Sequence, residues 1–243
     1  MRKGMFSLLL AFAFVGSVFG SEKYDRQETV YALQAPFGDG ASVVLILNND
    51  TGENQPVRLI FWSGRDLVDV LVDGKEGSPY ASSPEYVLKA DEKRYFLVTA
   101  SGPVRFGRIE IANNGGITGS VSREFEGADY RTLLSRTSNR EMVKGAGYTS
   151  RSVTGVVLTN ANSLPGADAD VTLRVFDDAG LLVTEKKLDR LEAASQRAVL
   201  LHQLLKGDPS WEKYLALRGE FRGSLEFKAD GVFFAVAAIN LRY

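Results

Sequence analysis

The chain has no cysteine and a single histidine among its 243 residues. The first absence excludes disulfides, thiolate nucleophiles, thiolate metal sites and a lipid-modified cysteine anchor. The second leaves only His202 for any Ser-His-Asp triad, and a zinc site would have to be mainly carboxylate, which is uncommon for that metal. Gly-x-Ser-x-Gly, Walker-type and Gly-x-Gly-x-x-Gly patterns are missing. No apolar run beyond the N-terminus is long enough for a membrane helix. Excess charge is lacking too: 29 Lys and Arg stand against 30 Asp and Glu with the signs interspersed. That balance gives no electrostatic footprint for nucleic acid or an anionic membrane surface.

Met1 to Gly20 is different in kind. Arg2 and Lys3 precede an apolar stretch from Met5 to Phe19, and Val18-Phe19-Gly20 ends in a small residue before Ser21. This pattern predicts a secretory signal peptide cleaved after Gly20. The remainder is long enough for two domains of about 100 residues each. Each can bury an adequate core, so an exported chain of this size does not need disulfides.

Behind the signal the sequence states one pattern twice. Leu88-Lys-Ala-Asp-Glu-Lys-Arg-Tyr-Phe-Leu-Val98 lies without a gap on Leu191-Glu-Ala-Ala-Ser-Gln-Arg-Ala-Val-Leu-Leu201. Matching segments flank both in the same order, with offsets of 112 at Asn48/Asn160, 114 at Val57/Val171, 103 at Leu88/Leu191 and 116 at Ile109/Leu225. The jumps place an insertion around Gly74 to Tyr86 in the first copy and another around His202 to Leu217 in the second. Insertions between matched strands are surface loops, where two copies can differ in role.

The matched segments read as strands. Val171, Leu173 and Val175 alternate with Thr172 and Arg174, which puts one face on a core and the other in water. Asp177-Asp-Ala-Gly180 is a turn, and Leu181 to Leu188 returns as its hairpin partner. In the first copy Ser42 to Asn48 and Val57 to Phe61 repeat these steps, while Gly107 and Gly223 mark bulges or bends. One helix is signalled: Asp208 as N-cap and Pro209 at the first helical position, continuing to Leu217. Glu126 to Gly147 is a polar connector plus the first edge strand of the second domain. The expected fold is all-β: two tandem antiparallel β-sandwich domains, 21–127 and 128–243, with one short helix in the second.

Gly155, Leu158 and Asn160, then Asp177 and Gly180, Gln196 and Arg197, and Phe221, Gly223 and Leu225 punctuate the second copy. In this punctuation the chain resembles uncharacterised tandem β-sandwich (Ig-like) repeats of bacterial exported proteins. The resemblance covers most of the second copy and, more loosely, the first. It implies no reaction.

Candidate chemistry is sparse. Leu200, Leu201, Leu204 and Leu205 around His202 suit a residue beside the core. Ser210-Trp-Glu-Lys213 has the Ser-x-x-Lys spacing of some acyltransferases but lacks their companion motifs, and it coincides with the expected helix start. Asp168 and Asp170 offer carboxylates to calcium without a full ligand ladder, as a polar turn would. The binding candidates are the aromatic residues of the two insertions: Tyr80 and Tyr86 in the first, Trp211 and Tyr214 in the second. Rings so placed stack on sugars or anchor a protein partner, and they equally staple a helix to a sandwich. The terminal alternation of Phe233, Ala235, Ala237, Ile239, Leu241 and Tyr243 also fits the last strand of an outer-membrane barrel.

The expectation is therefore an exported, non-catalytic structural or adhesive protein of the cell envelope or extracellular space. It needs no cofactor or metal, binds a protein or an envelope polymer, and leaves self-association open. A carbohydrate-binding module and an outer-membrane barrel are the alternatives.

Overall fold

The computed structural model describes residues 28–77, 86–125, 128–162, 164–230 and 234–242. The expected signal peptide and Tyr80 lie outside them. The first part of the chain forms β1 (Glu28–Phe37), β2 (Ser42–Asn49), β3 (Gln55–Ser63), β4 (Asp66–Leu67), β5 (Val70–Val72), β6 (Lys75–Gly77), β7 (Tyr86–Leu88), β8 (Lys93–Thr99), β9 (Arg105–Asn113) and β10 (Ile117–Phe125). Two short strands follow, β11 (Ala128–Leu133) and β12 (Ser135–Arg136). The second part forms β13 (Arg140–Tyr148), β14 (Ser152–Asn160), β15 (Val171–Asp177), β16 (Leu182–Lys187), β17 (Gln196–Leu200), α1 (Leu201–Leu204), α2 (Pro209–Arg218), β18 (Phe221–Ala229) and β19 (Phe234–Arg242).

Every strand pair is antiparallel, and there are three sheets among the described residues. The first runs β12-β1-β9-β3-β4, with β7 also on β3, and the second runs β11-β10-β2-β8-β5-β6. Their facing sides share one core, in which Val30, Leu59, Phe61 and Ile111 meet Leu45, Phe96, Val98 and Val121. Period-two alternation produces this directly: β5 buries Val70 and Val72 and turns Leu71 outward. Burying each such aliphatic or aromatic side chain contributes about 1.5–3 kcal/mol.

The third sheet runs β16-β15-β18-β13-β14-β17, with β19 on the other edge of β14. Between β13 and β14 only one ladder pair forms, Tyr148 with Val153. The sheet folds over at that hairpin, and Val156, Leu158 and Val236 from one side pack on Leu173, Val175, Leu225 and Phe227 from the other. This is again a two-layered sandwich. Its terminal strand β19 belongs to a layer over a filled apolar core rather than to the wall of a single closed sheet, so the barrel expectation gives way here.

Pairing in the two halves corresponds strand for strand. The order β1-β9-β3 matches β13-β18-β15, and β10-β2-β8 matches β19-β14-β17. Ladder details agree: Val57 pairs with Asn113 as Val171 pairs with Ala229, and Leu45 with Phe96 as Val156 with Val199. One expected match moves. Asn160 Nδ2 donates to Leu191 O (3.3 Å) and Ala167 O (2.8 Å), and it is Asn49, not Asn48, that donates likewise to Leu88 O (3.3 Å) and Lys89 O (2.8 Å). Ile117, opposite Asn49, corresponds to Phe234, opposite Asn160. Both asparagines are buried, so their amides saturate the loop carbonyls that a core would otherwise strand.

The expected bulges are present, opposite the two glycines. Ladder register slips between Leu33 and Ala35 opposite Gly107, and between Lys144 and Ala146 opposite Gly223. A Cβ at Gly107 would lie 1.7 Å from Trp62 O, and one at Gly223 would lie 2.0 Å from Phe176 O, so only glycine fits. The bulged residues are Gln34 (φ 57°) and Gly145 (φ 70°).

The seam between the halves falls later than residue 127. β11 hydrogen-bonds to β10 and β12 to β1, so residues 128–136 extend the first two sheets, and β13 opens the third. α2 starts as the sequence predicts: Asp208 accepts from Trp211 N (2.8 Å) with Pro209 at the first position, and Gly219 ends the helix in the left-handed conformation. α1, a single turn directly after β17, was not foreseen.

Candidate functional site

The three aromatic candidates among the described residues, Tyr86, Trp211 and Tyr214, do not converge on one site. Trp211 is only 2 % exposed: its indole packs edge-on against Phe221 (5.1 Å) and lies beside Tyr148 (6.3 Å). Its ring is therefore a staple holding α2 to the sandwich, and no face is left for a ligand. Tyr214 stacks parallel to it at 6.5 Å and is half-buried, and its hydroxyl pKa is raised by burial and then by Asp177. Tyr86 sits on another sheet, edge-on to Phe96 (4.7 Å) with the Arg94 guanidinium 5.2 Å from its ring.

The remaining chemical candidates are tied into structure. His202 lies beside Tyr148, ring centroids 5.3 Å apart, with its Nδ1 buried and unpartnered among the described residues. Ser210 is exposed at the second position of α2. Asp168 accepts from Ala193 N (3.0 Å), and Asp170 is held by Lys187 and Arg190 (3.3 Å each), which lower its pKa. Among the described residues no cluster of three metal-ligating side chains forms.

What the sequence did not single out is the seam itself. The outward side of the first sheet meets the outward side of the β19-β14-β17 layer, with Tyr31 and Leu33 packed on Val157, Ala235 and Ala237. The molecule is thus a stack of four β layers. Beside this apolar contact, Gln34 and Gln196 form a reciprocal pair: Gln34 N donates to Gln196 Oε1 (3.2 Å), and Gln196 Nε2 donates to Gln34 Oε1 (3.1 Å). Arg65 Nη2 reaches Ala193 O (3.5 Å), and Ser135 Oγ donates to Val236 O (2.9 Å). Next to the pair opens a cleft of ≈ 540 Å³, lined by Gln34, Arg65, Phe106, Ser195, Gln196 and Ala198 among others.

Two titratable groups are buried near this contact. Desolvation and then the Glu110 carboxylate push the Tyr31 phenol up to about 12. Glu110 is itself paired with Arg108 (3.0 Å), whose guanidinium lies over Trp62 (5.4 Å). Arg123, 3 % exposed, donates through Nη2 to Leu33 O and to Thr132 Oγ1 (2.7 Å), while Nε and Nη1 have no partner among the described residues. Burial lowers its pKa to about 10. An arginine so placed locks β10 and β11 to the carbonyl just before the Gln34 bulge.

Gln34 occupies the bulge position that Gly145 fills in the other half, a left-handed site where glutamine is strained. There both its backbone N–H and its side chain bond Gln196.

No protein-family model matches this chain, and no curated protein matches it. Distant likenesses exist among solved structures. The T13 viral particle of IBDV matches at 9 % identity over 89 % of this chain and 69 % of that one, with a TM-score of 0.19. The infectious bursal disease virus VP2 subviral particle matches at 10 % identity over 89 % and 71 %, with a TM-score of 0.20. The M60 catalytic domain of Clostridium perfringens ZmpB with its CBM51-1 and CBM51-2 domains matches at 9 % identity over 84 % and 32 %, with a TM-score of 0.19. Likenesses this remote carry no argument about what this chain does.

Proposed function

We propose that this protein is an exported, non-catalytic interaction protein, structural or adhesive, built by tandem duplication of one β-sandwich unit. The signal-like N-terminus supports export, and the strand-for-strand correspondence of the halves supports duplication. The observation that carries the interaction reading is the outer face of the second sheet. There Leu133 on β11 is 76 % exposed and Tyr95 and Leu97 on β8 are 56 and 46 % exposed; Leu133 and Tyr95 end the ladder row Leu133–Ser120–Ile46–Tyr95, whose middle residues are buried, and Leu97 lies in the next row opposite Val44. Tyr95 and Leu97, two residues apart on β8, adjoin on that face, and exposed apolar side chains so placed mark a surface that another macromolecule covers. The partner is a protein or an envelope polymer. Sugar stacking on Trp211 is not favoured, because the indole is inside the core.

Fractionation of the native cell followed by crosslinking of the mature protein tests the reading. The expected result is an N-terminus at Ser21, recovery outside the cytoplasm, and a crosslinked partner lost in a Tyr95→Glu variant. A cytoplasmic protein with an intact Met1, or robust turnover abolished by substituting His202 or Ser210, would contradict it.

A further inference from the structure

Each end of the four-layer stack is the counterpart of a layer covered inside it. At the internal contact, Tyr31 and Leu33 of the first sheet cover Val157, Ala235 and Ala237. Val157 sits in the ladder row Ala237–Val157–Ala198, whose counterpart in the first half is Ser120–Ile46–Tyr95 on the outward side of the second sheet, where Tyr95 is exposed and Ser120 and Ile46 are buried. Tyr31 sits in the row Tyr31–Glu110–Ile60, whose counterpart is Met142–Glu226–Arg174 on the open face of the last layer. The chain therefore shows one mating of a first-type face with a second-type face, and it leaves one face of each type outward.

We propose that a second copy of this chain docks head to tail, its last layer (β16-β15-β18-β13) on the second sheet of the first copy. The two faces fit chemically. One offers Tyr95, Leu97 and Leu133. The other offers Met142, 45 % exposed, and the guanidinium groups of Arg140 and Arg174, which Glu226 holds in place. Guanidiniums already paired with a carboxylate lie flat on an aromatic ring such as Tyr95 without leaving a bare charge at the contact. A contact between unlike faces does not close on itself, so assembly lengthens with concentration. This deepens the interaction reading above and rests on it.

The test is sedimentation velocity of the purified mature protein over a wide concentration range, with Leu97→Glu and Met142→Glu. Both sites are exposed, so both variants fold, as circular dichroism will verify. The wild type should grow in mass with concentration without a plateau. Each variant alone should lose association by more than about tenfold. An equimolar mixture should form a one-to-one complex and nothing longer, since each variant keeps the face the other has lost. A wild type that stays monomeric, or assembly blocked by Leu97→Glu but untouched by Met142→Glu, overturns the proposal. A monomer that still crosslinks to another envelope component sinks head-to-tail assembly alone and leaves the interaction reading standing.

Discussion

Gln34 and Gln196 exchange hydrogen bonds across the seam between the two halves, 162 residues apart in sequence. Gln34 does so from a left-handed backbone position where its counterpart is Gly145. Holding a non-glycine residue there costs about 1–2 kcal/mol, which the side-chain pair and the bonded backbone N–H offset. Gln196→Ala should therefore lower stability by about 1 kcal/mol in urea denaturation. Gln34→Gly should cost less than Gln34→Ala, because glycine removes the strain along with the bond. Equal losses would mean the backbone at position 34 is not strained.

Ala194 is a second left-handed residue, in the turn before β17, and its counterpart before β8 is Asp91 (φ 57° and 56°). Ala194→Gly should stabilise the protein by roughly 1 kcal/mol and raise Tm by about 2–4 °C in a scanning melt. No change or a loss would show that the turn adopts another conformation.

Gly107 and Gly223 admit no side chain, since a Cβ would enter the carbonyls of Trp62 and Phe176. Gly107→Ala and Gly223→Ala should each destabilise by about 3 kcal/mol or more, with loss of soluble yield. The same penalty at both sites is expected from the same bulge geometry.

Trp211→Ala should cost about 3–5 kcal/mol by emptying a core site, and Asp208→Ala about 1 kcal/mol by uncapping α2. Both are read by chemical denaturation. If Trp211→Ala left stability unchanged while abolishing retention on a polysaccharide, the staple reading would fail.

Alkaline pH should weaken the seam. Tyr31 ionises near 10 when unfolded and at about 12 when folded, so between these values the unfolded chain holds fewer protons. Stability from this group is fully present below pH 10 and is lost as pH rises towards 12, by about 2–3 kcal/mol. Denaturation midpoints compared between wild type and Tyr31→Phe should diverge only over that range. Parallel pH profiles would place the Tyr31 phenol in solvent.

Much of the fold was legible because it is local. Alternation of Val171, Leu173 and Val175 gave β15, Asp177 and Gly180 gave the β15–β16 turn, and Asp208-Pro209 gave α2. Register was legible to within a residue or two. Asn48 and Asn49 are adjacent and identical, and only the hydrogen bonds to Leu88 and Lys89 reveal which asparagine is turned inward. The binding candidates fared differently. Trp211 in an inserted segment reads the same whether it faces solvent or core, and the helix turns it inward. The seam depends on Tyr31, Leu33, Val157 and Ala235, each an ordinary strand residue, so nothing in its own segment marks it as a contact between halves.

The account stands on the two halves being clamped face to face at that seam, and the absence of native cysteine allows a direct test. Gln34→Cys with Gln196→Cys, treated with a short bis-maleimide, should give one intramolecular crosslink in near-quantitative yield. A control pair at Gln34 and Leu217 should give none. If the Gln34/Gln196 pair stays uncrosslinked in the folded protein, the halves do not meet there and the four-layer stack is wrong.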